Sequence, residues 1–128
     1  MRLLLDTQLA LWWLLRSRQV PARARQLVEQ TTDPVFISRA SLWEMAIKIS
    51  IGKLVLDLPR FIQMAESSGF QWLDITNQHL LAVAGLTVFG DHRDPFDRLL
   101  VAQSRTEPLI LLTADKTLDR YGATIQVV

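Results

Sequence analysis

The sequence contains no cysteine, which excludes disulfides, thiolate metal sites and a cysteine nucleophile. Any metal the chain binds is therefore held by oxygen or imidazole. Glycine and proline are few, five of each in 128 residues, and no low-complexity tract or linker breaks the chain. Long apolar runs are missing too. The longest, Leu9 to Leu15, has seven residues, against roughly 20 needed to span a bilayer. The opening MRLLLDTQLALWWLLRS is interrupted by Asp6 and is followed by no small-residue cleavage site, so it reads as folded structure and not as a signal peptide. The expected location is cytoplasmic. Neither a glycine-rich phosphate loop nor a Ser/His/Asp arrangement stands out.

Apolar residues make up 49% and charged residues 21%, the balance of an ordinary globular chain with enough apolar surface for one core. A single domain over residues 1–128 follows. Periodicity places short apolar strands at Arg2–Leu5, Val35–Ile37, Phe70–Ile75, Leu109–Thr113 and Thr124–Val128. Between them it places helices over Gln8–Leu15 with Thr7 as N-cap, Pro21–Gln30, a segment opened by Ser38 or Ser41 and running to Ile51, Pro59–Ser67, and Asn77–Leu86. A further helix is opened by Asp94 and Pro95, and a short one covers Lys116–Tyr121. Strands alternating with helices imply an α/β fold, a mainly parallel sheet with helices on both faces.

In such sheets function gathers beyond the carboxyl ends of the strands. Asp6 directly follows the first strand, Asp115 follows LILLT by one residue, Glu44 lies early in the helix after VFI, and Asp97 lies in the first turn of the helix before LILLT. Four acids distant in sequence thus fall near one rim. Carboxylates brought together repel unless a cation neutralises them, and an all-oxygen donor set suits Mg²⁺, with Mn²⁺ as a substitute. Each acid also has an ordinary structural reading. Glu44 fits a capping box with Ser41 or an i,i+4 pair with Lys48, Asp97 complements a helix dipole, and Asp115 caps a turn. Asp6 is the hardest to explain that way, because a charge at the end of a buried strand needs a partner. The formal charge is +1, and setting four carboxylates aside leaves +5 on the remainder. Basic residues between Arg16 and Arg120 are then available for phosphate contacts, with no single one distinguished.

These segments resemble a known family along essentially the whole chain. LLLDTQLALWWL, SLWEMAIKISIGKL, HRDPFDRLLVAQ and LLTADKTLDRYG are similar to the four acidic motifs of PIN-domain ribonuclease toxins of the VapC type, the toxic halves of bacterial toxin–antitoxin pairs. The resemblance implies a PIN-like three-layer fold and an endoribonuclease that hydrolyses RNA phosphodiester bonds with Mg²⁺. It carries the family's acids onto Asp6, Glu44, Asp97 and Asp115. Of these, Asp6 and Asp97 are the first choices for direct ligands, with Glu44 and Asp115 completing the metal site. Thr7 and Thr113 by their position, and Asp94, read as supporting residues or, for Thr7 and Asp94, as helix caps. Gln8 stands where relatives of this subgroup often have His. His79 and His92 are read as surface or structural imidazoles, His92 lying beside the acidic loop.

Two other classes share part of this pattern. A receiver-like signalling domain also uses Asp at strand ends with Mg²⁺ but pairs two acids after the first strand, where this chain has one. A non-catalytic interaction domain on the same fold would have lost the acids. Leu9, Leu11, Trp12, Trp13, Leu14 and Leu15 make the first helix apolar nearly all round, so it is either fully buried or retains a face for a partner. The family resemblance favours the second, with a homodimer and a cognate antitoxin.

Overall fold

The structure, a computed structural model, describes residues 1–128. Its elements follow in the order β1 (Leu3–Leu5), α1 (Thr7–Leu14), α2 (Ala22–Gln30), β2 (Val35–Ser38), α3 (Arg39–Ser50), α4 (Leu58–Ser67), β3 (Gln71–Leu73), α5 (Asn77–Ala84) and α6 (Pro95–Thr106). They end with β4 (Ile110–Thr113), a 3₁₀ helix η1 (Lys116–Tyr121) and β5 (Ile125–Val127). All strand pairs are parallel and the sheet order is β3-β2-β1-β4-β5. The expected α/β architecture, with a parallel sheet and helices on both faces, is the one observed. A receiver-type doubly wound sheet runs 2-1-3-4-5, so the strand order counts against that alternative.

Alternate side chains of a strand point to opposite faces, and the leucines of β1 and β4 are sorted accordingly. Leu3, Leu5 and Leu112 pack with Leu9 and Leu14 of α1, Met45 of α3 and Phe61 and Ala65 of α4. Leu4 and Leu111 pack with Leu99–Val101 of α6 and with Leu118 and Tyr121 of η1. Both faces are covered, which is why these strands are continuous apolar runs instead of alternating ones.

Two buried hydrogen bonds lock the helices that leave the carboxyl rim. Thr7 Oγ1 donates to Ser41 Oγ at 2.8 Å, joining α1 to α3. Ser38 Oγ donates to Gln103 Oε1 at 2.6 Å, joining the start of α3 to α6. The structure corrects one capping expectation and decides another that the sequence left open. Asp6, not Thr7, is the N-cap of α1, accepting from Leu9 N at 2.8 Å. This frees the Thr7 hydroxyl, inside the first turn, to reach Ser41. Ser38, not Ser41, caps α3, so Glu44 lies beyond the first turn and forms no capping box.

Helix α1 is not fully enclosed. Leu9, Ala10 and Leu14 are buried, Leu11, Trp12 and Trp13 half-buried, and Leu15 beyond its end is 55% exposed. No helix is long and apolar enough to cross a membrane. The two-faced core makes a simple prediction. Leu111→Ala, at a side chain with no exposure, is expected to lower unfolding free energy by about 2–5 kcal/mol. Val55→Ala, at a residue almost wholly in solvent, should stay within about 0.5 kcal/mol. Urea unfolding of the two variants beside the parent checks both.

Candidate metal centre

The chain winds one way from β1 through β2 to β3, then crosses back to β4 and β5. The strand ends part at that reversal, between β1 and β4, and a crevice is expected there. A cleft of about 560 Å³ lies at this place, and its walls include Asp6, Glu44, Asp97 and Asp115. Thr7, Gln8 and Asp94 line it as well. All four acids singled out in the sequence are therefore brought together, each by a different element.

Asp6 leaves β1 with its backbone N–H still in the sheet, donating to Leu112 O at 3.1 Å. Its side chain is 6% exposed. Burial, followed by the charges of Asp115 and Glu44, pushes its carboxyl up to about 6, against hydrogen bonds from Thr113 and Leu9 that pull it down. It forms no ion pair with a basic side chain. Glu44 is also buried, at 7% exposure, and pairs with Lys48 Nζ at 2.8 Å, the i,i+4 contact legible in the sequence. That hydrogen bond raises the Lys48 pKa above its ordinary value.

Asp97 sits in the first turn of α6, whose N-cap Asp94 accepts from the amides of Phe96 and Asp97 at 2.9 and 3.0 Å. Burial first and the Asp94 charge second raise the Asp97 carboxyl to about 6, offset in part by a hydrogen bond from His92. Asp115 is the exposed member. It caps η1 through Thr117, and the Thr117 hydroxyl, 2.7 Å from Oδ1, holds its pKa below the usual carboxylate range. Thr113 Oγ1 accepts from Asp115 N at 3.0 Å, so this hydroxyl touches two of the four acids.

Of the two readings open for the histidines, surface or structural, both take the structural one. His79 lies in the interior, its Nδ1 accepting from Thr76 N and its Nε2 2.6 Å from Glu107 Oε2. Neither histidine is on the cleft wall, but only His92 stands directly behind one of its acids. His92, expected as a surface or structural imidazole, is buried with Nε2 3.3 Å from Asp97 Oδ2. Ligand atoms of His92, Asp97 and Asp115 lie within 4.8 Å of one another. The only sequence signal for it was proximity to Asp94 and Asp97. Its burial is produced by Tyr121, distant in sequence, which the acidic pattern does not reveal.

A model of the PIN domain matches residues 3–123. The chain belongs to the PIN-domain family. No curated protein sequence matches it. Among solved structures, this PIN domain is similar to a chain of the VapBC2 complex of Rickettsia felis bound to promoter DNA, with TM-score 0.69, 14% identity, and coverage of 100% of this chain and 98% of that one. The DNA-bound VapBC of Salmonella typhimurium gives 0.66 and 20%, with coverage of 99% and 98%. A toxin–antitoxin complex from Klebsiella pneumoniae gives 0.65 and 19%, with coverage of 97% and 95%. At these identities the likeness is one of fold, along nearly the full length of each PIN-like chain.

The raised carboxyl of Asp6 yields a pH prediction. An acid whose folded pKa is about 6 and whose ordinary value is 3.8 binds its proton more tightly when folded. Its contribution to stability is complete below about pH 4 and is lost as the pH rises to about 6. Asp6→Asn keeps an N-cap of equal quality and removes the charge. In chelator-treated protein the variant should therefore gain roughly 1–3 kcal/mol on the parent between pH 4 and pH 7. Denaturant midpoints across that range measure it, and a pH-independent difference would contradict the burial assigned to Asp6.

Proposed function

We propose that this PIN domain is a metal-dependent endoribonuclease toxin of a toxin–antitoxin pair, hydrolysing RNA phosphodiester bonds at the four-carboxylate cleft. The carrying observation is the convergence of Asp6, Glu44, Asp97 and Asp115 on one crevice, where two of them are buried and Asp6 has no cationic partner. Folding alone does not require such a group, since an unpaired buried carboxylate destabilises the chain. A hard divalent cation fits the donors present: carboxylate oxygens from separate elements, with neighbouring hydroxyls at Thr7 and Thr113. The ion of this reading is Mg²⁺, with Mn²⁺ able to replace it.

Asp6 and Asp97 are the direct ligands in this reading, and Glu44 and Asp115 complete the site. Thr113 orients Asp6 and the turn at Asp115, Thr7 fixes the α1–α3 spacing through Ser41, and Asp94 holds the first turn of α6 that presents Asp97. The chemistry a divalent cation supplies when bound is a lowered pKa of water and stabilisation of charge on phosphate oxygens. Lys48, paired with Glu44, and Lys53 and Trp12 are also on the cleft wall, a combination suited to a backbone phosphate and a base. RNA as the substrate agrees with the PIN-type toxins the sequence resembles.

A protein partner belongs to the same reading. Grooves of about 540 and 520 Å³ run along α1 and α4, lined in part by Leu14, Arg16 and Met64. The second of them is also lined by the exposed Leu15, which borders the acidic cleft as well. An antitoxin segment lying along α1 would reach the acids without crossing open solvent. The exposed Leu80 and Leu81 of α5 lie elsewhere on the surface and suit the homodimer.

Cleavage of RNA in the presence of Mg²⁺ is expected to vanish in excess EDTA, return with Mg²⁺ or Mn²⁺, and fall at least about 100-fold in Asp97→Asn. Undiminished cutting in EDTA would end the metal reading. A second measurement needs no RNA. Mg²⁺ at about 100 times its dissociation constant stabilises a binding-competent fold by roughly 2.7 kcal/mol, a rise in melting temperature on the order of 4 °C or more for a chain of this size. That rise should shrink in Asp97→Asn, and an equal rise in parent and variant removes Asp97 from the ligand set.

A further inference from the structure

We infer that His92 is a nitrogen ligand to the cation of the acidic cleft, so that the site discriminates in favour of Mn²⁺ over Mg²⁺. This rests on the reading of the cleft as a metal centre and adds to it a donor of a different chemical kind.

The argument starts with how His92 is held. It lies in the segment between α5 and α6, and its backbone N–H donates to Phe89 O at 3.0 Å. Arg120 grips the neighbouring Asp91 with two hydrogen bonds, at 2.6 and 3.0 Å, and stacks over Phe89 at 4.9 Å from the ring centre. Phe89 in turn meets the ring of Tyr121 edge-on. The helix η1 that begins at Asp115 thus also anchors the segment carrying His92. Asp115 and His92 are positioned by one rigid piece, and Asp97 faces both.

The ring is oriented as a ligand's would be. A metal-binding imidazole uses one nitrogen for the metal and gives the N–H of the other to a fixed acceptor. His92 Nδ1 is 3.0 Å from the hydroxyl of Tyr121, itself only 3% exposed. That hydroxyl oxygen accepts from Arg98 Nη1 at 3.4 Å, and Arg98 is fixed by donating to Thr87 O at 2.9 Å. A phenol both donates and accepts, so this contact can run from Nδ1–H to the hydroxyl oxygen. Nε2 is then left with its lone pair on the side of Asp97, within the group that Asp115 completes. In the absence of a cation the other tautomer serves, with the Tyr121 hydroxyl donating to Nδ1 and Nε2–H meeting Asp97 Oδ2. Loading therefore reverses the direction of the Tyr121 contact and frees Nε2 for the cation.

One imidazole among carboxylates alters the preference of the site. Mg²⁺ strongly favours oxygen, whereas a nitrogen donor improves binding of first-row transition ions. An imidazole that merely steadied Asp97 would leave that preference unchanged.

The test uses the full chain with Mn²⁺ as the probe and no RNA. The electron spin echo of bound Mn²⁺ should show ¹⁴N modulation of the histidine type. It should disappear when the histidines carry ¹⁵N, which needs no mutation, and also in His92→Gln with His79 intact. By calorimetry, His92→Gln should reduce the Mn²⁺/Mg²⁺ affinity ratio roughly tenfold or more. Mn²⁺ binding that depends on Asp97 but shows no histidine coupling overturns the role of His92 and leaves the acidic centre standing. Persistence of the coupling in His92→Gln overturns it too. Absence of any Mn²⁺ binding sensitive to Asp97→Asn removes both the ligand and the centre.

Discussion

The arrangement depends on one topological constraint: the chain reverses its winding beside β1, so β1 and β4 send their continuing segments to opposite faces of the sheet. After β1 the chain enters α1, which covers the face of Leu3 and Leu5. After β4 it enters η1, which covers the face of Leu4 and Leu111. Neither segment can roof the gap between them. The helices that precede and follow other strands bring their own side chains to the rim of that gap, Glu44 from α3 and Asp97 from α6. The hydrogen bonds from Thr7 to Ser41 and from Ser38 to Gln103 then fix how far apart these helices stand.

Much of this was legible in the residues. Strands such as LLL and ILLT are short, leucine-rich and bounded by polar residues, and the helices carry recognisable openings such as Asp94-Pro95, so the elements and their alternation follow from periodicity and capping chemistry. The acids were legible because each stands at a position that a parallel sheet sends to the same rim. Details that depend on choosing between adjacent polar residues were not. Asp6 and Thr7 both suit an N-cap, as do Ser38 and Ser41, and the tertiary packing decides which does so. His92 escaped for a stronger reason, because its surroundings are created by Tyr121 and Arg120, which lie more than twenty residues further along the chain.

The electrostatics divide the four acids into two kinds. Asp6 and Asp97 are held at elevated pKa by burial, while Asp115 is kept low by the hydroxyl of Thr117, and Glu44 is tied to Lys48. A cation entering the cleft would meet one acid already favouring ionisation at the surface and two whose ionisation it must promote, so that its affinity would be linked to the protonation of Asp6 and Asp97.

Asp6 has one more consequence, which concerns how such a sequence persists. The same side chain caps α1 and carries an unpaired charge, and asparagine would serve the cap equally well. A lineage selected only for folding could exchange Asp6 for Asn in one substitution and become more stable by doing so. Stability gives no protection to this residue. On the proposed function, a population of such chains relieved of that function should lose this acid early, while the leucines beneath it remain.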